Sequence, residues 1–161
     1  MRKINVLARR LVLLFLPVVA ATSLAVPANA EPGAPARWLA VAADGTASIA
    51  DAGPAVAPLA LTSYISNETA NGIGVSRDDV AGNYQAILAG HRRTDDAPLN
   101  WSRAMSFYVG PGYCVDAWFY WNGAWRFGVS APGAREYLVD QTIEGQSVAR
   151  WALRNTRPLP C

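Results

Sequence analysis

The sequence predicts an all-β fold: a single antiparallel β-sandwich or barrel of about eight short strands, with one disulfide, after a cleaved signal peptide. Short runs of aromatic, β-branched and other apolar residues recur along the chain, and several alternate with polar residues as half-buried strands do. Asn-Gly, Asp-Gly and Pro-Gly pairs separate these runs and mark turns. The mature part shows no strong helical repeat, and many short strands between turn signals are typical of a sandwich or barrel.

The clearest element is a hairpin within residues 113–130, which read YCVDAWFYWNGAWRFGVS. Asn122-Gly123 lies between two runs that are rich in aromatic residues. This pair supplies the two positive φ angles of a type I′ turn, the favoured two-residue connection between antiparallel strands. The sequence therefore predicts strands at about 113–121 and 124–130.

The two-residue turn also fixes a register, and strand alternation sorts the side chains onto two faces. The predicted pairs are Trp121 with Ala124, Tyr120 with Trp125, Phe119 with Arg126 and Trp118 with Phe127. One face carries Cys114, Asp116, Trp118, Tyr120, Trp125, Phe127 and Val129. The other face carries Val115, Ala117, Phe119, Trp121, Ala124, Arg126 and Gly128. The first face is predicted to line the core because its apolar surface is the more continuous.

The second face then leaves Phe119 and Trp121 with an aqueous side, and Arg126 can lie over either ring. Two interpretations stay open. A second sheet or loop covers this face as well, or the face is an exposed aromatic–arginine patch that binds a partner. The candidate binding residues are Phe119, Trp121, Arg126, Trp125 and Tyr108.

Residues 1–30 are predicted to be a secretory signal peptide. Four basic residues precede the apolar run 11–19, and Ala28-Asn29-Ala30 is a small-x-small cleavage site. The run is too short for a membrane anchor, so no membrane partner is expected after cleavage. We expect a secreted, extracellular protein with a flexible lead-in at 31–36 and a β-sandwich domain at 37–161.

Cleavage of the signal peptide changes the charge of the chain. It removes four of the fourteen basic residues and none of the twelve acidic ones. The predicted mature chain then has ten basic and twelve acidic residues, a formal net charge of −2. A nucleic-acid partner is therefore not implied. Every cation after residue 30 is an arginine, and alanine is abundant, which suggests a GC-rich genome such as that of an actinobacterium.

The chain has two cysteines, Cys114 and Cys161, and both lie in the predicted mature part. Export into an oxidising space favours a disulfide between them. Such a bridge would tie the C-terminus to the hairpin. The alternative is a pair of free thiols.

The remaining strands are predicted from alternation and turn signals. They lie at 37–43, 46–50, 59–66, 73–76, 84–89, 103–109, 136–143 and 147–154. The last of these also fits a short helix, and the strand is preferred. Residues 90–100, which contain His91, are the most polar part of the mature chain and are predicted to form an exposed loop.

Few catalytic devices fit this composition. His91 is the only imidazole, the mature chain has no lysine, and no serine lies in a Gly-x-Ser-x-Gly elbow. Zinc sites need several His or Cys ligands, and no glycine loop of the phosphate-binding kind is present. We therefore predict no catalytic residues, no metal and no cofactor. Paired carboxylates for glycoside hydrolysis remain an alternative, with Asp95 or Asp96 opposite Asp116 or Glu136.

Residues 114–154 carry a resemblance to a known family. In order they contain a cysteine, the alternating strand 115–121, the triplet Trp125-Arg126-Phe127, the segment 129–133 and Ala149-Arg150-Trp151. This order resembles that of small secreted actinobacterial β-sandwich proteins, among them the proteinaceous α-amylase inhibitors.

The resemblance implies an inhibitor that fills an amylase site with a Trp-Arg-Tyr triplet on an exposed loop, and a last strand tied by a disulfide. Here the triplet ends in Phe127 and directly follows a tight turn. The family's second disulfide is absent, and this chain is longer. The predicted register turns Trp125 and Phe127 inward and Arg126 outward.

Three classes of function follow from these observations. The first is a secreted protein-binding module, most concretely an inhibitor of an extracellular hydrolase, that presents an aromatic–arginine patch on a rigid hairpin. The second is a carbohydrate- or cell-wall-binding module whose polysaccharide stacks on a platform of Trp101, Tyr108, Phe119 and Trp121. The third is the carboxylate-based hydrolase.

Overall fold

The computed structural model describes residues 34–51, 62–78, 84–143 and 145–161. The predicted signal peptide at 1–30, the first half of the lead-in and the start of the strand predicted at 59–66 lie outside the described residues. Within the described ranges, no helix is long and apolar enough to cross a membrane.

The described residues form eleven strands in two sheets. The strands are β1 Arg37–Val41, β2 Ala47–Ala50, β3 Thr62–Asn67, β4 Ile73–Ser76, β5 Ala86–Leu88, β6 Arg92–Arg93, β7 Ser106–Val109, β8 Tyr113–Trp121, β9 Ala124–Pro132, β10 Arg135–Val139 and β11 Val148–Pro158. One sheet has six strands in the order β2-β1-β10-β7-β4-β5. The other has five, in the order β6-β3-β11-β8-β9.

The all-β prediction is confirmed, and the architecture is a sandwich of two sheets rather than a closed barrel. Two strand pairs, β1 with β10 and β3 with β11, run parallel, whereas the sequence predicted antiparallel pairing throughout. Parallel neighbours are joined by long crossovers and leave no hairpin signal in the sequence. The segment predicted as strand 147–154 is a strand, and it extends to Pro158.

The core lies between the two sheets and draws large side chains from both. Phe107 stacks on Tyr137 in the six-stranded sheet, with 5.4 Å between ring centroids. Phe119 packs against Trp151 in the five-stranded sheet, with 5.7 Å between centroids. The indole Nε1 of Trp151 donates a hydrogen bond to the carbonyl oxygen of Asp140 at 3.0 Å, so its buried polar atom is satisfied.

The central hairpin has the predicted register at its turn end. All four predicted pairs are present, and Asn122 and Gly123 both have positive φ. A bulge between Ala117 and Trp118 then shifts the pairing, so that Ala117 lies opposite Val129 and Gly128 is the extra residue. Such a bulge reverses the faces of the residues beyond it.

Gly128 occupies a position that a side chain would not fit. A Cβ there would lie 2.9 Å from the carbonyl oxygen of Ala117 and 3.3 Å from the Cβ of Ala47. Because the chain shifts by one residue here, Val129 and Ala131 turn toward the core instead of following the alternation of the first half of β9.

The predicted assignment of the hairpin faces is wrong. The core face carries Val115, Ala117, Phe119 and Trp121, and the aromatic face of Trp118, Tyr120, Trp125 and Phe127 points away from the core. The physical reason lies in β11, which pairs with β8 and brings Trp151 and Leu153 inward beside Phe119 and Ala117. The small side chain of Ala117 leaves room for Leu153, which lies opposite it.

Two further predictions concern the C-terminus and the polar loop. The disulfide Cys114–Cys161 is present and ties the end of the chain to β8.

The loop at 90–100 is only partly exposed. It contributes β6, and the buried Thr94 both donates its backbone N–H to Ile65 and accepts the backbone N–H of Ile65 at its hydroxyl.

Candidate functional site: the outer face of the five-stranded sheet

The structure does not bring the five predicted binding residues together on one surface. Phe119 is fully buried, and Tyr108 is 5% exposed in the other sheet. Trp121 packs against the core while Arg126 lies over its ring, with 4.7 Å from the guanidinium carbon to the ring centroid. Of the five, Trp125 alone lies on the outward aromatic face. Of the two interpretations left open for this face, the exposed patch is therefore wrong, and the covered face is what the structure has at Phe119.

A different surface carries the aromatic and arginine side chains. It is the outer face of the five-stranded sheet, and we call it the aromatic–arginine face. Its members come from all five strands: Arg93, Tyr64, Arg150, Arg154, Trp118, Tyr120, Trp125 and Phe127.

One row of these residues crosses the whole sheet. The Arg93 guanidinium lies 3.9 Å from the ring centroid of Tyr64. Arg150 pairs in register with Tyr64 and lies 4.7 Å from the ring centroid of Tyr120. Tyr120 in turn meets Trp125 edge to face, with 5.6 Å between centroids. Cations and rings thus alternate from β6 to β8, and the row ends in a second ring on β9. Each cation–π contact contributes about 0.5–1 kcal/mol when exposed.

A second cluster lies beside this row. The Arg154 guanidinium lies 4.8 Å from the ring centroid of Trp118 and 5.4 Å from that of Trp125. Trp118 meets Phe127 edge to face at 5.7 Å. Phe127 is 51% exposed, one of the largest apolar exposures among the described residues. The face therefore ends, on β9, in a half-exposed apolar ring.

The three arginines of the face differ in how their charges are compensated. Arg93 forms an ion pair with Asp95 through two nitrogens, and Arg154 forms one with Glu68 at 2.6 Å. Among the residues that the structure describes, Arg150 has no carboxylate partner. The half-buried Arg150 is therefore the uncompensated cation at the centre of the face.

Tyr64 lies between two of these cations. Burial raises the pKa of its hydroxyl, and the positive charges of Arg93 and Arg150 act in the opposite direction. The hydroxyl therefore stays protonated at neutral pH and can donate a hydrogen bond.

A groove of about 470 Å³ opens beside this row. Tyr64, Arg93 and Arg150 form one side, and Trp101 and Val148 add apolar wall. The other lining residues are polar: Thr62, Ser63, Asp95 and Ser102. The backbone N–H of Trp101 donates a hydrogen bond to the carbonyl oxygen of Thr94. Since Thr94 is itself hydrogen-bonded to Ile65 of β3, the Trp101 side of the groove is held against the sheet.

Asp116, which the sequence placed awkwardly on a core face, lies on the outer side of β8. Its carboxylate accepts hydrogen bonds from Ser130 at 2.7 Å, from Arg157 at 2.8 Å and from Asn155 at 3.1 Å. Burial alone raises the pKa of Asp116, but these three donors outweigh it and hold the pKa below its ordinary value. The carboxylate is thus the centre of a polar network that fastens β11 to the hairpin.

The carboxylates predicted for hydrolysis are distributed over both sheets. Glu136 is buried in the six-stranded sheet, where it accepts a hydrogen bond from Ser106. Asp116 lies in the five-stranded sheet, and Asp95 is bound to Arg93. Among the described residues, no group of three or more His, Cys, Asp or Glu side chains is placed to hold a metal ion.

Sequence reasoning missed Tyr64, Arg93, Arg150 and Arg154 as members of one surface. A signal was present in residues 150–154, where Arg, Trp, Ala, Leu and Arg alternate. Alternation turns Trp151 and Leu153 to one side and both arginines to the other. No comparable signal joins β11 to β3, because their parallel pairing is long-range.

The fold and this face define a disulfide-linked β-sandwich with aromatic and arginine side chains across one outer sheet face. No family model matches the chain, and no curated protein and no solved structure matches it. The geometry of the face is therefore the ground for a functional proposal.

Proposed function

We propose that this protein is a secreted protein-binding module and that its contact surface is the aromatic–arginine face. The observation that carries the proposal is the continuous array of five rings and three guanidinium groups across one sheet face, ending in the half-exposed Phe127. Tryptophan, tyrosine and arginine are the residue types that dominate the binding energy of protein interfaces.

The way the face is held supports this proposal. Its side chains project from paired strands, and each arginine lies against one or two rings, so few rotamers remain to be ordered when a partner binds. A surface that is rigid before binding loses little conformational entropy on association. The disulfide fixes the C-terminus beside the same sheet and adds to this rigidity.

A protein partner suits the face better than a polysaccharide does. Guanidinium groups already lie over Tyr64, Tyr120, Trp118 and Trp125, and a sugar ring needs an open ring face on which to stack. The platform expected for sugar binding is also incomplete, because Tyr108 and Phe119 are buried. Acidic side chains of a protein can pair with these guanidinium groups, and apolar side chains can pack against the edges of the rings.

An extracellular hydrolase is the partner that the resemblance to α-amylase inhibitors suggests. Trp125 and Phe127, the two aromatic members of the triplet, point outward from β9, opposite to the orientation that the sequence predicted. Export is supported by the disulfide, since such bridges persist in oxidising compartments.

The carboxylate-based hydrolase finds less support. A pair of catalytic carboxyl groups must flank one glycosidic bond, at separations of about 5–9.5 Å. Of the two carboxylates proposed to lie opposite Asp95 or Asp96, Asp116 accepts a hydrogen bond from Ser130 in the five-stranded sheet, and Glu136 accepts one from Ser106 in the other sheet. Asp95 is engaged in its ion pair with Arg93.

The proposal is tested by titrating the mature protein, residues 31–161, against purified extracellular amylases, glycanases and proteases. Binding is measured by biolayer interferometry and inhibition by residual enzyme activity. We expect micromolar or tighter binding to at least one enzyme, weakened at least about tenfold in Trp125→Ala, as for an interface hot spot. Insoluble chitin, cellulose and peptidoglycan form a parallel arm of the experiment.

Two outcomes contradict the proposal. One is binding to an enzyme that Trp125→Ala leaves unchanged, because the contact surface would then lie elsewhere. The other is retention on a polysaccharide without binding to any enzyme, which would favour the carbohydrate-binding alternative. The thermal unfolding curve of Trp125→Ala serves as the control for folding.

A further inference from the structure

We propose that the groove beside Arg150 receives a carboxylate side chain of the protein partner. The inference deepens the proposed function and depends on it: the aromatic–arginine face supplies the contact area, and Arg150 supplies a charge-specific contact. The partner chemistry is an acidic segment that carries an aromatic side chain next to a glutamate or aspartate.

Charge on the face is compensated unevenly. Arg93 and Arg154 each have a carboxylate partner within the chain, Asp95 and Glu68 respectively. Arg150 has none among the described residues, although it is half-buried between two other strands. A partly desolvated cation gains more from an incoming carboxylate than an exposed one does.

The guanidinium group of Arg150 is already oriented before a partner binds. It pairs in register with Tyr64 on one side and lies over the ring of Tyr120, 4.7 Å from its centroid, on the other. The stacked guanidinium keeps its planar set of N–H donors in one orientation, which suits two-point binding of a carboxylate. Little side-chain entropy is then lost when the ion pair forms.

The groove itself combines apolar and polar lining residues. Trp101 and Val148 offer apolar contact next to the cation. Thr62 and Ser102 also line the space, whereas the hydroxyl of Ser63, another lining residue, donates a hydrogen bond to the carbonyl oxygen of Ala104. A volume of about 470 Å³ has room for an aromatic side chain and an adjacent acidic one.

The groove's only acidic lining residue among those described does not compete for Arg150. Asp95 is bound to Arg93 through both carboxylate oxygens. The local charge of that pair is balanced, and the positive charge that remains in the groove is that of Arg150. The site is therefore selective for one negative charge rather than for a run of them.

The experiment uses two fluorescein-labelled, terminally blocked Gly-Ser peptides. One carries a single Glu-Trp pair at its centre, and the other carries Gln-Trp in its place. Fluorescence anisotropy gives the affinity of each peptide for the wild type, Arg150→Gln, Arg150→Lys and Arg126→Gln. Arg126 is the matched control, because it lies over Trp121 at the same 4.7 Å distance but on the other side of the hairpin.

We expect the wild type to prefer the glutamate peptide about tenfold, the size of one charge-assisted contact. Arg150→Gln should bind the two peptides with equal affinity. The preference for the glutamate peptide should be unchanged in Arg126→Gln and partly kept in Arg150→Lys. Equal affinities of the wild type for the two peptides, a preference that survives in Arg150→Gln, or no binding of either peptide would overturn the inference.

A third arm uses hexagalacturonate, which offers carboxylates on a sugar. Arg150-dependent binding of that probe without binding of the glutamate peptide overturns the inference by assigning the groove to acidic sugars. Failure here remains distinct from failure of the proposed function. If only the groove is wrong, Trp125→Ala still weakens binding to the hydrolase partner, while Arg150→Gln leaves that binding unchanged.

Discussion

The Arg154 guanidinium lies over the ring of Trp118, 4.8 Å from its centroid, and the two residues come from the neighbouring strands β11 and β8. The contact shows how a sheet face rich in aromatic side chains can point outward. The guanidinium covers part of the ring, and its own charge remains at the surface, where Glu68 pairs with it. Aromatic content therefore did not identify the buried side of the hairpin.

The first prediction concerns the energy of this contact. In a double-mutant cycle of Arg154→Gln and Trp118→Leu, we expect a coupling energy of about 0.5–1 kcal/mol in the free energy of unfolding. Urea denaturation of the four proteins measures it. Arg77→Gln provides the control, since Arg77 is exposed and paired with Asp78. Its combination with Trp118→Leu should be additive, and equal coupling in both cycles would refute the prediction.

The second prediction concerns the disulfide. The Cys114–Cys161 bridge closes a loop with a sequence separation of 47 residues. Replacing both cysteines by serine should lower the free energy of unfolding by about 4 kcal/mol, because the unfolded chain regains the entropy of the open loop. Urea denaturation of the mature protein checks this. Reductant should lower the stability of the wild type and leave the double variant unchanged. A variant as stable as the oxidised wild type would count against the prediction.

The third prediction concerns the bulge in β9. Gly128→Ala should lower the free energy of unfolding by about 1–3 kcal/mol, because the new Cβ meets the backbone oxygen of Ala117 at 2.9 Å. Gly110→Ala is the matched control. No atom lies within 4 Å of a Cβ built there, and its φ is not positive, so the change should be within about 0.5 kcal/mol. Similar losses in the two variants would show that the bulge is not packed as described.

The fourth prediction concerns pH and Asp116. The pKa of this carboxyl is lower in the folded protein than in the unfolded chain, because Ser130, Arg157 and Asn155 donate to it against the effect of burial. Its ionised form therefore stabilises the fold. That contribution is fully present above the ordinary value of 3.8 and is lost as the pH falls through the folded pKa.

Asp116→Asn should consequently be less stable than the wild type at pH 7, by about 1–3 kcal/mol. The difference between the two proteins should shrink as the pH is lowered below about 4. The midpoints of urea denaturation of both proteins, measured from neutral to strongly acidic pH, give this difference. A difference that stays constant over the whole range would mean that the carboxylate's charge has no part in the network.

Local features of the fold could be predicted from the sequence because they depend on few residues. Asn122-Gly123 determines its own turn and the four nearest pairs. The pairing of Cys114 with Cys161 followed from a count of two cysteines in a chain for which export is predicted.

Which face of the hairpin is buried could not be predicted in the same way. That choice depends on the strand that pairs with β8, and β11 begins about thirty residues after β8 along the chain. Gly128 adds a second obstacle, because one extra residue reverses the faces of Val129 and Ala131 without changing the alternation that precedes it. The candidate face depends on both facts, so only Trp125 among its members was predicted.

The central claim is that the outer face of the five-stranded sheet is the contact surface. The most direct test compares alanine substitutions of two equally exposed side chains, one on each sheet. Phe127 and Ile87 are each 51% exposed, and Phe127 lies on the aromatic–arginine face whereas Ile87 lies on β5 of the other sheet. The measurement is the dissociation constant for the hydrolase that binds the wild type. We predict that Phe127→Ala raises it at least about tenfold, as an interface hot spot does, and that Ile87→Ala changes it less than about twofold. An equal effect of the two substitutions, or a larger one of Ile87→Ala, would contradict the claim.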